Sequence, residues 1–208
     1  MNSCRAVSRL VTIVCLAVTG AIAQAPGAWS FPDFSARQVF QAGNEEVSYK
    51  VYLAGSRVRV ETEPGLAILY DPMNDLVYRL TASAKGHPGC TAMTMTQSQM
   101  LPSPLALLFG MKVKRTPAGT ATVEGHECDV EDVETTMVDG KRIQSRVWEA
   151  KDLKGVPVKI ESQLPTFKLT TFYRDIVVGP PDAALVTPPS DCIPAGKVSA
   201  EAAEPRTK

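Results

Sequence analysis

Residues 47 to 80 hold four strand-like runs, VSYKVYLAG, SRVRVETE, GLAILYD and DLVYRL, with only Gly, Pro, Asn or Asp turns between them. Thirty-four residues divided in this way describe a continuous antiparallel meander. The rest of the chain repeats the pattern and offers few catalytic side chains, so the sequence describes a container more clearly than a reaction.

The N-terminus has to be set aside before the fold is read. Arg5 and Arg9 open it, Leu10 to Val18 form an apolar core, and Ala21-Ile22-Ala23 is a small-x-small cleavage signal. Residues 1–23 thus read as a secretory signal peptide cut after Ala23, with 24–30 a flexible leader into the domain. The apolar run is shorter than the ~20 residues of a membrane span, and Thr12-Ile13-Val14 lacks the small residue that precedes a lipidated cysteine. A water-soluble periplasmic or secreted protein is expected, with no transmembrane segment in the mature chain.

The whole chain balances 22 Lys and Arg against 22 Asp and Glu, and Arg5 and Arg9 leave with the leader. A slightly acidic exported chain argues against nucleic acid as an electrostatic partner. Three cysteines remain, Cys90, Cys128 and Cys192. In an oxidising compartment two of them should pair. All three pairings are open; Cys90 with Cys128 is preferred because both lie in strands of one sheet, while Cys192 sits in a Pro-rich tail.

Phe31 to Phe40 is a first strand ahead of the meander, and Thr91 to Thr96 alternates polar residues with Met at a period of two. Ser103 can cap a short helix, Pro104 suits its first turn, Leu105 to Phe109 are apolar and Gly110 can end it. Having almost no polar face, that helix must be buried against the sheet. Strands resume at Met111 to Arg115, Gly119 to Val123, His126 to Val138, Lys141 to Ala150 across an Asp139-Gly140 turn, Gly155 to Ser162 and Phe167 to Val178. One domain over 31–190 is expected, with 191–208 a disordered tail. The fold class is α+β: about ten strands in an antiparallel sheet that must curl over its own apolar face, with one short buried helix on the concave side.

Certain turns carry a resemblance. Gly55-x-Arg57-x-Arg59-x-Glu61, Val123-Glu124-Gly125-His126, Trp148 before the run Asp152 to Lys159, and Ile176 with Gly179 and Pro181-Asp182-x-x-Leu185-x-x-Pro188 resemble a bacterial family of exported domains of unknown function. That family is similar in fold to the periplasmic lipoprotein carriers and outer-membrane lipoprotein receptors. The resemblance implies an open, strongly curved half-barrel whose concave face receives acyl chains. It also places Arg57 or Arg59 where the carriers use an arginine to hold the closed state; alternating arginines on an exposed strand face are the plainer reading. The carriers have several cavity-lining helices, whereas this chain offers one.

The remaining chemistry is sparse. His87-x-x-Cys90 and His126-x-Cys128 could be drawn together as a metal site, but neither spacing is a usual chelating loop and a disulfide accounts for the cysteines more simply. Met93, Met95, Met100 and Met111 could bind monovalent copper, yet Met at alternate strand positions more simply fills an apolar interior. Glu127, Asp129 and Glu131 alternate on one strand, and Lys112 and Lys114 on another, as solvent-facing ion pairs require. There is no nucleophile elbow, phosphate loop or dinucleotide fingerprint, so no catalytic residue, metal or cofactor is assigned. The expected function is non-enzymatic: a carrier or sensor of a lipid or lipoprotein acyl chain, lined by Met93, Met95, Leu105, Leu107, Leu108 and Phe109, with Arg57 and Arg59 at the cavity mouth. The alternative is an envelope structural or protein-interaction module with a self-filled core.

Overall fold

A computed structural model describes residues 31–42, 45–82, 89–98, 103–109, 112–137, 140–164 and 166–194. The expected signal peptide (1–23), the expected flexible segment 24–30 and residues 195–208 of the expected tail lie outside the described residues. The meander forms as expected: β1 (Phe34–Ala42), β2 (Glu45–Ala54), β3 (Arg57–Glu63), β4 (Leu66–Asp71) and β5 (Leu76–Thr81) pair in sequence, and β6 (Gly89–Thr94) follows. The second half gives β7 (Lys112–Val123), β8 (His126–Thr136), β9 (Arg142–Ala150), β10 (Val156–Gln163) and β11 (Lys168–Val178). A two-residue strand β12 (Ile193–Pro194) ends the described chain.

All twelve strands belong to one open sheet, in the order β12-β6-β5-β4-β3-β2-β1-β11-β10-β9-β8-β7. β1 joins the halves by pairing with both β2 and β11. Twelve strands replace the expected ten or so. The segments expected at 111–115 and 119–123 are one strand, because a bulge at Pro117/Gly119 absorbs the proline that cannot donate to the ladder. At the β7–β8 turn Glu124 and Gly125 both take positive φ, 48° and 88°, the geometry of a two-residue hairpin matched to strand twist.

The sheet curls around one apolar core. Phe34, Val51, Leu53, Val58, Val60, Ile68 and Val77 from the first wing meet Val133, Val147, Ile160 and Tyr173 from the second, with Leu105, Ala106, Leu108 and Phe109 between them. Residues 103–109 are therefore a plug in the concave face, as their lack of a polar face demanded. The plug is a 3-10 turn, Ala106–Leu108, rather than an α-helix. Ser103 does not cap it; its hydroxyl turns to Gln38 instead.

The one α-helix among the described residues, α1 (Ala183–Val186), lies in the segment expected to be extended, where Asp182 caps it through the Ala184 amide. It begins a strap over the back of the sheet. Gly179 is tied to Asp33, α1 rests on β2 and β3, Arg59 reaches the Leu185 carbonyl at 3.2 Å, and β12 pairs in parallel with the far strand β6. Among the described residues the sheet thus extends past 190, to β12 at Ile193–Pro194.

The strap overturns the preferred disulfide. Cys90 is bonded to Cys192, and Cys128 is a buried free thiol. Sharing a sheet did not bring Cys90 and Cys128 together, since β6 and β8 lie toward opposite ends of the strand order. Cys128 packs instead with Ala150 and Val158 in a separate small cluster, and burial pushes its thiol above the ordinary value.

Candidate functional site

The concave face has two chemically different wings. Strands β1–β5 offer aliphatic and aromatic side chains. On the other wing Thr135, Ser145, Ser162 and Thr171 also point inward, by strand alternation with Val133, Val147, Ile160 and Tyr173. All four are buried, at 1%, 6%, 0% and 0% exposure. Ser145 and Ser162 face each other across β9 and β10 with their hydroxyl oxygens 2.9 Å apart. Thr171 lies two residues along β11 from Tyr173, which stands opposite Gln38 on β1.

Taken from strand to strand, these side chains form a diagonal of neutral hydrogen-bonding groups from Gln38 on β1 to Thr135 on β8. Four inter-strand steps span about 20 Å. At the β1 end the groups are satisfied and grip the plug. The Gln38 side-chain oxygen accepts from the Ser103 hydroxyl at 3.0 Å and from the Tyr173 hydroxyl at 3.4 Å. Burial pushes the Tyr173 phenol far above its ordinary value and that of Tyr70 to about 12, so both remain neutral donors. Two hydroxyl oxygens are buried without a hydrogen-bond partner, that of Thr171 on β11 beside the latch and that of Thr135 at the far end on β8.

Of the residues expected to line a ligand, Leu105, Leu107, Leu108 and Phe109 are buried in the plug, while Met93 and Met95 are half-buried against the same core. The concave face is thus occupied by the chain's own side chains. Arg57 and Arg59 alternate with core-facing Val58 and Val60 and so stand on the outer face. Arg57 donates to the buried Asp71 at 3.0 Å, and Arg59 holds the strap and contacts Glu61.

Two surface cavities are described. One of about 740 Å³ opens beside Lys50, Arg59, Glu61, Leu66 and Leu80, among others, and one of about 310 Å³ beside Glu124, His126, Arg174 and Asp175. None of the six expected lining residues borders either. Both carry charges of mixed sign, partly paired, as in Arg174 with Glu124 at 2.7 Å.

Other sequence candidates resolve simply. Among the described residues no group of three or more His, Cys, Asp or Glu could hold a metal. Cys90 is committed to its disulfide, and His126 Nδ1 lies 2.8 Å from Asp152. His87, Met100 and Met111 fall outside the described residues. The acidic ladder on β8 is served by Arg115, paired to Glu131, and by Lys151, 2.6 Å from Glu127 and 3.4 Å from Asp129, rather than by the lysines of β7. The hydroxyl diagonal was missed by sequence reasoning. Its signal was present: Thr or Ser at inward positions of four successive strands, where aliphatic residues were due.

No family model matches the chain, and no curated protein does. Several solved structures are similar. A LolA superfamily protein, NE2245 from Nitrosomonas europaea, aligns at 16% identity and TM-score 0.43, over 76% of this chain and 90% of that one. A chain of the Pseudomonas aeruginosa MucA/MucB complex gives 14% and 0.39, over 77% of this chain and 56% of that one. LprF from Mycobacterium bovis gives 11% and 0.35, over 72% and 89%. All three alignments lie below 20% identity and below a TM-score of 0.5.

Proposed function

We propose that the protein is an exported, non-enzymatic carrier or sensor that binds the acyl chain of a lipid or lipoprotein on its concave face, with residues 103–109 filling that face when no ligand is present. The observation that carries the reading is the plug itself. Leu105, Leu107, Leu108 and Phe109 are 0–5% exposed, and a single turn this short has no stability of its own. It is ordered by what it buries. Four such side chains are worth about 1.5–3 kcal/mol each, and an acyl methylene about 0.8 kcal/mol. A chain of roughly ten methylenes therefore offsets the plug, and exchange between the two is near balance. Met93 and Met95, adaptable side chains beside the plug, suit an occupant of variable shape.

The test is the lipid content of the purified native protein by mass spectrometry, with titration of a fluorescent fatty acid. Bound lipid, or saturable uptake of one probe per chain, is expected. Empty preparations together with no fatty-acid binding would sink the reading.

A second reading, a cell-envelope interaction module, is favoured by the same filled core. Its docking element would be β7, a twelve-residue edge strand. Lys112, Lys114, Arg115, Pro117 and the bulge blunt that edge against indiscriminate pairing. Lipid-free protein that still captures an extended envelope peptide would decide for the module.

A further inference from the structure

Resting on the acyl-chain reading above, we propose that the hydroxyl diagonal is a subsite for the carbonyl oxygen of an acyl ester or amide, so that the ligand is an acylated molecule and not a bare hydrocarbon chain. Thr135 and Thr171 are 1% and 0% exposed, and each buries a hydroxyl oxygen with no partner. A buried, unpaired hydroxyl costs stability, and Val has the same shape without it. The neighbouring inward positions carry Val133, Val147 and Ile160, so the face accepts aliphatic residues. The two orphaned hydroxyls flank the bonded pair Ser145 and Ser162, on β8 and β11, three inter-strand steps or about 14 Å apart, so each is a separate donor and one carbonyl engages one of them.

The acceptor they fit is neutral. On the same wing Arg115 pairs with both Glu131 and Glu149, one positive charge against two negative, so the cluster offers no free cation to an anionic headgroup. A carbonyl oxygen has two lone pairs and needs no counter-charge. It also lies at the head of an acyl chain, so a chain in the plug's place can bring its carbonyl onto the adjoining diagonal. The plug itself engages the diagonal at its β1 end, through Ser103 and Gln38, one strand from Thr171 and four from Thr135.

The experiment compares three ligands of equal chain length on the full exported chain by isothermal titration: 1-palmitoyl lysophosphatidylcholine, its 1-O-hexadecyl ether analogue lacking the carbonyl, and an N-palmitoyl amide. The ester should bind about three- to tenfold more tightly than the ether, and the amide arm distinguishes ester from amide sources of the carbonyl. In Thr135→Val/Thr171→Val that preference should vanish, while Tm rises by about 4 °C or more as two unpaired groups are removed. A merely structural role would not couple higher stability to lost discrimination. Equal binding of ester and ether, or a preference that survives in the double variant, overturns the subsite but leaves the acyl-chain reading standing. Binding of neither ligand, to the wild type or to Leu107→Ala with its weakened plug, overturns both.

Discussion

Glu161 and Cys128 show how single side chains report on this fold. Burial alone would raise the Glu161 carboxyl, but hydrogen bonds from Lys159 at 2.7 Å and from Lys168 outweigh it and hold the group below its ordinary value of 4.5. Its folded-state value is thus depressed. The stability it contributes is fully present above about pH 4.5 and is lost as pH falls through the depressed value. Glu161→Gln should flatten the dependence of urea stability on pH below 4.5 and leave it unchanged near neutrality; an identical acid limb in both proteins would show that the pair does not matter. Cys128 is 0% exposed, and burial raises its thiol. In protein produced from residue 24 onward, Ellman's reagent should therefore find no reactive thiol in the native state and one in denaturant. Rapid native labelling would mean that the cluster with Ala150 and Val158 opens readily.

Among the elements, the plug decides how the molecule behaves. Leu108 is 0% exposed in the main core, so Leu108→Ala should cost about 2–5 kcal/mol if the plug melts only with the sheet. If the segment leaves its site in a local opening, the measured loss is capped at the free energy of that opening. Denaturant unfolding with hydrogen exchange at Leu107 and Leu108 separates the cases. A loss below about 1 kcal/mol with fast exchange would mark a loosely held plug, and a full loss with slow exchange a permanent core segment. The sequence revealed this element because seven residues with no polar side but Ser103 leave nowhere to sit except inside. Its conformation was less legible, since a turn so short is shaped by the Gln38 and Tyr173 latch, a contact across 65 and 135 residues that no local pattern encodes. The hydroxyl diagonal was hidden for a related reason: each Ser or Thr is unremarkable in its own strand and becomes a row only once the register is known.

At the scale of the whole molecule, the meander was legible because its turns are local, whereas the strap was not. Its order comes from distant partners: Asp33, Arg59, β6 and Cys90 each hold one point of a Pro-rich segment with little propensity of its own. The same fact makes its largest energetic contribution predictable. Cys90 and Cys192 are 102 residues apart, and closing so long a loop removes much of the unfolded chain's freedom. The bridge should thus contribute roughly 2–5 kcal/mol. Cys90→Ser/Cys192→Ser should lower Tm by about 10 °C, and dithiothreitol should do the same to the wild type but nothing further to the variant. Cys128→Ala, which leaves the bridge intact, should by contrast lose only a small buried side chain. A stability insensitive to reductant would mean that the strap is held by its hydrogen bonds and by buried Val186 alone. Because β6 leads along the chain toward the plug, the same reduction should raise hydrogen exchange in Gly89–Thr94 before it does so in β1 or β2, whose pairing on both sides does not depend on the bridge.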